Sequence, residues 1–163
     1  MPLDRRFLRF LPFALAITLG FAPATVSQAE TPLSALAGTW SGGGQVQLGD
    51  GRSERLSCRA FYTPKEGGAS LGMAIRCASP SYKIELRSSL QYSGGRLSGS
   101  WEERSFNAGG TISGRASPGS LQLNFTGNVN GAMSLTFSGS SQRVSITSAG
   151  GGFSSVSLSL SRG

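Results

Sequence analysis

The chain has 163 residues, a formal net charge of +7, 24 glycines, two cysteines and no histidine. Without histidine there is no Ser–His or Cys–His nucleophile pair, no ordinary general acid–base group near neutral pH, and none of the commonest zinc and copper ligand. The positive balance suits anionic surfaces such as phosphorylated lipid headgroups, and equally describes a solvated basic exterior.

The chain opens with MPLDRRFLRF, LPFALAITLGFA and PATVSQA. A basic stretch (Arg5, Arg6, Arg9), an apolar run and small residues at Ser27 and Ala29 predict a signal peptide over 1–29, cut after Ala29. The apolar run is interrupted by Arg9, Pro12 and Pro23 and is short for a membrane span. The expected product is one domain, residues 30–163, periplasmic or secreted. It carries twelve Lys/Arg, ten of them arginine, against seven Asp/Glu. An exported protein rarely meets nucleic acid, so none is expected as a partner.

Beyond Ala29 no helical period is visible. Segments alternate apolar and polar residues and are separated by Gly, Pro, Asn and Ser, which predicts strands over 39–48, 53–62, 69–78, 82–92, 96–105, 110–116, 120–126, 132–138, 142–148 and 153–161. Leu121, Leu123 and Phe125 share one face, as do Met133, Leu135 and Phe137, and Val156, Leu158 and Leu160. The turns, Asn130-Gly131 among them, are short enough for hairpins, so neighbouring strands should form an antiparallel meander. A sheet with one apolar face must also hide its two edges. Closure into a single up-and-down all-β barrel of about 8–10 strands does this most simply. The short likeness of GGRLSGSW (94–101) to GGTISGRA (109–116) reads as shared hairpin grammar rather than a repeat array.

Cys58 and Cys77 form an even pair in a chain expected to enter an oxidising compartment, which predicts a disulfide. A hairpin turning near Gly67 sets the two opposite one another. Cys58 shares parity with Leu56 and Ala60, and Cys77 with Met73 and Ile75, so both thiols should face inward as a cross-strand bridge.

At Gly38-Thr39-Trp40 the sequence resembles the lipocalin and wider calycin group, whose barrels begin with Gly-x-Trp after a short helical turn that plugs one end. The same residues are similar to the start of avidin-type barrels. The resemblance implies that residues 31–36 form the plug. It also implies that a basic residue near the end of the last strand, here Arg162, stacks on Trp40 and closes the barrel, a cation–π contact of roughly 0.5–2 kcal/mol. The middle lipocalin signature, a Thr-Asp-Tyr-like loop, is absent, so no ligand-contacting residue is carried over. As a whole the chain resembles exported Gram-negative proteins of unassigned function through GTWSGGGQVQL, LSCRAFY and SGGRLSGSW.

Catalytic groupings are missing. Glu102 and Glu103 are adjacent and should face opposite sides of a strand, so they cannot serve one substrate as acid and base. Glu103 has inward parity and is expected to reach water at the strand end or to pair with Arg104. Lys65 and Lys83 lie in or beside turns with no Ser-x-x-Lys spacing. No catalytic residue, metal site or cofactor is therefore assigned, and no enzymatic activity is expected.

Arg55, Arg59, Arg76, Lys83, Arg87, Arg96 and Arg104 have outward parity on strands two to five, with Glu54, Glu85 and Glu102 among them. They read as cross-strand ion pairs or as a wall for anions on an envelope surface. Tyr62, Tyr82, Tyr92 and Trp101 have inward parity. The expected function is non-catalytic binding of a small apolar or amphipathic, lipid-like ligand in a lumen lined by Met73, Ile75, Leu86, Trp101, Leu123, Phe125, Leu135 and Phe137. Two alternatives stand beside it. One is a structural or interaction protein of the envelope with a filled core and an active Ser/Thr/Arg exterior. The other is an outer-membrane barrel with the apolar face turned out.

Overall fold

The computed structural model describes residues 30–163, so the predicted leader and its cleavage site lie outside the described residues. A 3-10 turn at Ser34–Leu36 precedes ten strands: β1 (Gly38–Leu48), β2 (Ser53–Lys65), β3 (Ser70–Ala78), β4 (Lys83–Ser93), β5 (Arg96–Glu103), β6 (Ala108–Ser117), β7 (Ser120–Gly127), β8 (Asn130–Ser138), β9 (Ser141–Ala149) and β10 (Phe153–Arg162). Each strand pairs antiparallel with its sequence neighbours, and β10 pairs with β1, closing the barrel. All ten predicted strands are present, at the upper end of the expected range. Closure leaves no unpaired edge, which is what an amphipathic meander of this length requires.

Several boundaries differ from expectation. β2 runs on through Pro64 to Lys65, because its pairing with β1 stops at Tyr62 and the missing proline N–H falls where no neighbour needs it. Tyr82 precedes β4, and Arg104 and Ser105 lie beyond β5 in the β5–β6 turn. β6 begins two residues earlier than the alternation alone marks, at Ala108, and β8 begins at Asn130, because ladder pairing continues through Gly109 and Gly131.

Cys58 and Cys77 are register partners on β2 and β3, and they form the disulfide with Cα atoms 4.2 Å apart. On β1, Gly44 faces inward between Trp40 and Val46. A Cβ there would collide with the Ser157 carbonyl oxygen of β10, so glycine lets the two strands approach and coil.

The two ends of the barrel differ. One end collects residues 30–37 and the β2–β3, β4–β5, β6–β7 and β8–β9 turns. There Leu33 and Leu36 of the 3-10 segment pack with Trp40, Leu71, Leu90, Leu121 and Leu135, all fully buried. Thr31 Oγ1 donates to the Gly68 carbonyl at 2.9 Å, tying the plug to the β2–β3 turn. Gly68 has φ +86°, and a Cβ on it would strike that same Thr31 hydroxyl, so only glycine fits the join. The other end, with the β1–β2, β3–β4, β5–β6, β7–β8 and β9–β10 turns, has no such plug among the described residues.

Candidate functional site

At the closed end the resemblance to calycins has a physical counterpart. Trp40 is fully buried and its indole N–H donates to the Leu36 carbonyl at 2.9 Å. Arg162 is the register partner of Trp40, and its guanidinium carbon lies 4.3 Å from the ring centre. The same guanidinium donates to the Ala35 carbonyl at 2.6 Å and to the Ala37 carbonyl. One arginine thus joins the last strand, the first strand and the plug. Deeper in this end Tyr62 donates its hydroxyl to Gln142 Oε1 at 3.1 Å, and burial pushes the Tyr62 hydroxyl well above its ordinary pKa.

Toward the open end the interior widens into a cavity of about 440 Å³. Of the eight lumen residues named from parity, Met73, Ile75, Leu86, Trp101, Leu123 and Phe125 line it. Leu135 and Phe137 do not: both are buried in the packed half, because β8 runs from the mouth at Asn130 toward the closed end and its later inward residues meet the plugged core. Trp101 and Phe125 meet edge to face at 6.0 Å, and the Trp101 N–H donates to the Thr126 carbonyl at 3.2 Å. An aromatic wall with its polar atom already satisfied presents only apolar surface to the lumen.

Parity also missed several wall residues. Val46, Ile84, Ile112 and Met133 line the cavity with inward parity and were legible in principle. Phe106, Val129 and Gly150–Gly152 line it from turns, where strand alternation carries no information. Tyr82 also lies in a turn and is 37% exposed, unlike Tyr62, which is buried in the core as its parity predicts.

Glu103 departs from expectation. It is 9% exposed rather than reaching water, and among the described residues it pairs with no arginine. Its Oε1 accepts the Glu85 N–H at 2.8 Å and its Oε2 accepts the Phe106 N–H at 2.7 Å. Two backbone donors offset the cost of burying the carboxylate and fix the β5–β6 turn. Ser79, also on the lining, donates to Glu54 at 2.6 Å.

On the outer wall, Glu85 is the hub of the predicted ion pairs. It meets Arg87 at 2.9 Å, Arg76 at 3.6 Å and Arg104 at 3.8 Å, and the Arg87 hydrogen bond, ahead of the other arginines' charges, holds its carboxyl below the usual range. Glu54 makes no ion pair among the described residues and accepts instead from Ser79 and Ser81. Arg59 and Arg76 sit directly opposite one another on β2 and β3. Among the described residues no group of three His, Cys, Asp or Glu side chains comes together as a metal site.

The fold is a closed, ten-strand antiparallel up-and-down barrel. Among solved structures it is similar to an S-type phycobiliprotein lyase, CPES, from Guillardia theta, at 14% identity and a TM-score of 0.57, covering 80% of this chain and 90% of the other. At that identity the likeness concerns the fold. No family model matches the chain, and no curated protein matches it.

Proposed function

We propose that this protein is a non-catalytic, exported barrel that binds a small apolar or amphipathic, lipid-like ligand through its open end. The observation that carries the reading is the cavity of about 440 Å³, walled by apolar side chains and reached from one end only. That size falls within the range of small-molecule sites. Glu103 and Ser79 on its wall already hold protein partners and Tyr82 lies at the mouth, so shape and apolar contact select what enters the interior. An amphipath would place its tail among Met73, Ile75, Leu123 and Phe125 and leave its polar end at the mouth. The inward apolar face and the Ser, Thr, Gln and Arg exterior support a wall that meets water, the reverse of a lipid-facing barrel. The similarity to a phycobiliprotein lyase supports the container and is silent on its contents.

Native mass spectrometry of the gently purified protein tests this. The expected result is a population heavier than the bare chain that releases a small apolar molecule on activation. In parallel, a soluble hydrophobic dye should bind and quench Trp101. A bare mass together with no dye binding would overturn ligand binding and favour a structural or interaction protein. The same spectrum reads the start of the chain, and a mass retaining residues 1–29 would overturn cleavage after Ala29.

A further inference from the structure

We propose that the barrel docks mouth-first on anionic lipid surfaces, through an aromatic tip and a cationic groove that meet at the rim. The proposal rests on the ligand-binding reading for its purpose and on a different surface for its evidence.

Tyr82 and Phe106 are the exposed large hydrophobic side chains among the described residues, 37% and 60% exposed. They come from different turns, β3–β4 and β5–β6, yet their rings lie 6.2 Å apart beside the cavity mouth. Phe106 is held there rather than left loose, since the buried Glu103 carboxylate accepts its N–H and the next residue, Asn107, takes a left-handed φ of +50°. A buried carboxylate thus anchors the backbone of a phenylalanine whose ring stays 60% exposed. Paired aromatics at a rim suit insertion among lipid headgroups.

Beside this tip a groove runs down the outer wall from Lys83 and Ser105 at the rim to Arg76 and Arg59. Arg59 and Arg76 face each other across the β2–β3 ladder, where like charges repel. Arg76 and its neighbours Arg87 and Arg104 share one carboxylate, Glu85, and Arg59 has no ion pair among the described residues. The side therefore carries cations in excess of their partners, next to apolar rings. Headgroup phosphates complement the first and the acyl boundary complements the second, and such cations contribute where they approach an anionic leaflet. Docking in this pose opens the cavity onto the source of an apolar ligand.

Flotation of the purified protein with phosphatidylcholine vesicles, with and without phosphatidylglycerol, tests the proposal. Binding is expected only with phosphatidylglycerol and should fall as salt is raised. Arg59→Glu with Arg76→Glu should weaken it at least about tenfold while soluble-dye binding in the cavity stays unchanged. Phe106→Ser should weaken it several-fold, with the circular dichroism melt confirming the fold of each variant. Equal binding to uncharged vesicles, or indifference to the charge reversal, would overturn the proposal. So would binding to a soluble acidic polysaccharide with none to vesicles. Ile146→Trp, which fills the cavity, separates the two readings. Loss of dye with retained flotation is expected. Dye binding by the parent protein without flotation defeats docking alone, and flotation without dye binding defeats the cavity reading alone.

Discussion

The two ends of this barrel are made of the same strands and behave as different materials. At the plugged end, Leu33, Leu36, Trp40, Leu121 and Leu135 are fully buried, and the N–H of Trp40 and the guanidinium of Arg162 reach backbone carbonyls of the plug. At the mouth, Ile84, Leu86, Phe125, Val129, Ile146 and Phe153 are only partly buried around open volume, and Phe106 and Tyr82 face water. The filled core lies where the 3-10 segment covers the lumen. The open volume lies at the other end, uncovered among the described residues. The division follows from packing: a filled interior loses dispersion contacts and creates a void when trimmed, whereas a site that must admit a ligand has to leave those contacts unmade.

The sharpest way to break the comparison is Trp40→Ala. It should cost about 3–5 kcal/mol in denaturant unfolding, against less than about 0.5 kcal/mol for Phe106→Ser at the mouth. Equal losses would mean that the ends are not distinct. Next, removing the disulfide with Cys58→Ala and Cys77→Ala should lower stability by roughly 2–4 kcal/mol in the same assay, because the cross-link restrains the unfolded chain. Overpacking gives a smaller and more discriminating effect. Leu135→Phe in the filled half should cost about 1–3 kcal/mol, whereas Ile146→Phe beside the cavity should cost less than about 1 kcal/mol and weaken dye binding. Arg162→Ala should cost about 1–2 kcal/mol and shift Trp40 emission, read in a Trp101→Phe background, with the cavity still binding dye.

The smallest effect near neutral pH concerns Tyr62. Its hydroxyl pKa is raised in the fold by burial, so its contribution is complete below the unfolded value of about 10 and is lost as pH rises beyond it. Unfolding free energy should therefore fall above about pH 10, by at most about 1.4 kcal/mol per pH unit from this group. Tyr62→Phe should flatten that limb of the curve. An unchanged slope would locate alkaline sensitivity elsewhere.

Arg162 and Glu103 show how far residue order reaches. Arg162 was legible because the calycin resemblance calls for a basic residue over Trp40, and antiparallel pairing of the first and last strands brings Arg162 there. Glu103 was not. Its parity pointed inward, but its partners are the backbone N–H groups of Glu85 and Phe106, which alternation does not position. Likewise Leu135 and Phe137 have the same inward parity as Leu123 and Phe125, yet they fill the core while the others line the cavity. Parity chooses a face of the sheet and carries no information about height along the barrel axis.

The sequence by itself determined the strands, their antiparallel order and the inward disulfide, and the calycin resemblance added the contact of Arg162 with Trp40. The first three follow from a period of two, short turns and the need to bury one face without leaving edges. Only the tertiary structure decided where along the axis the filled core gives way to a cavity, and that turn residues such as Phe106 reach the mouth. It also decided that a groove runs beside Arg59 and Arg76 to Lys83 and Ser105 at the rim. Strand tilt and the 3-10 segment folding back under Trp40 set those positions, and both arise from contacts between residues far apart in the chain.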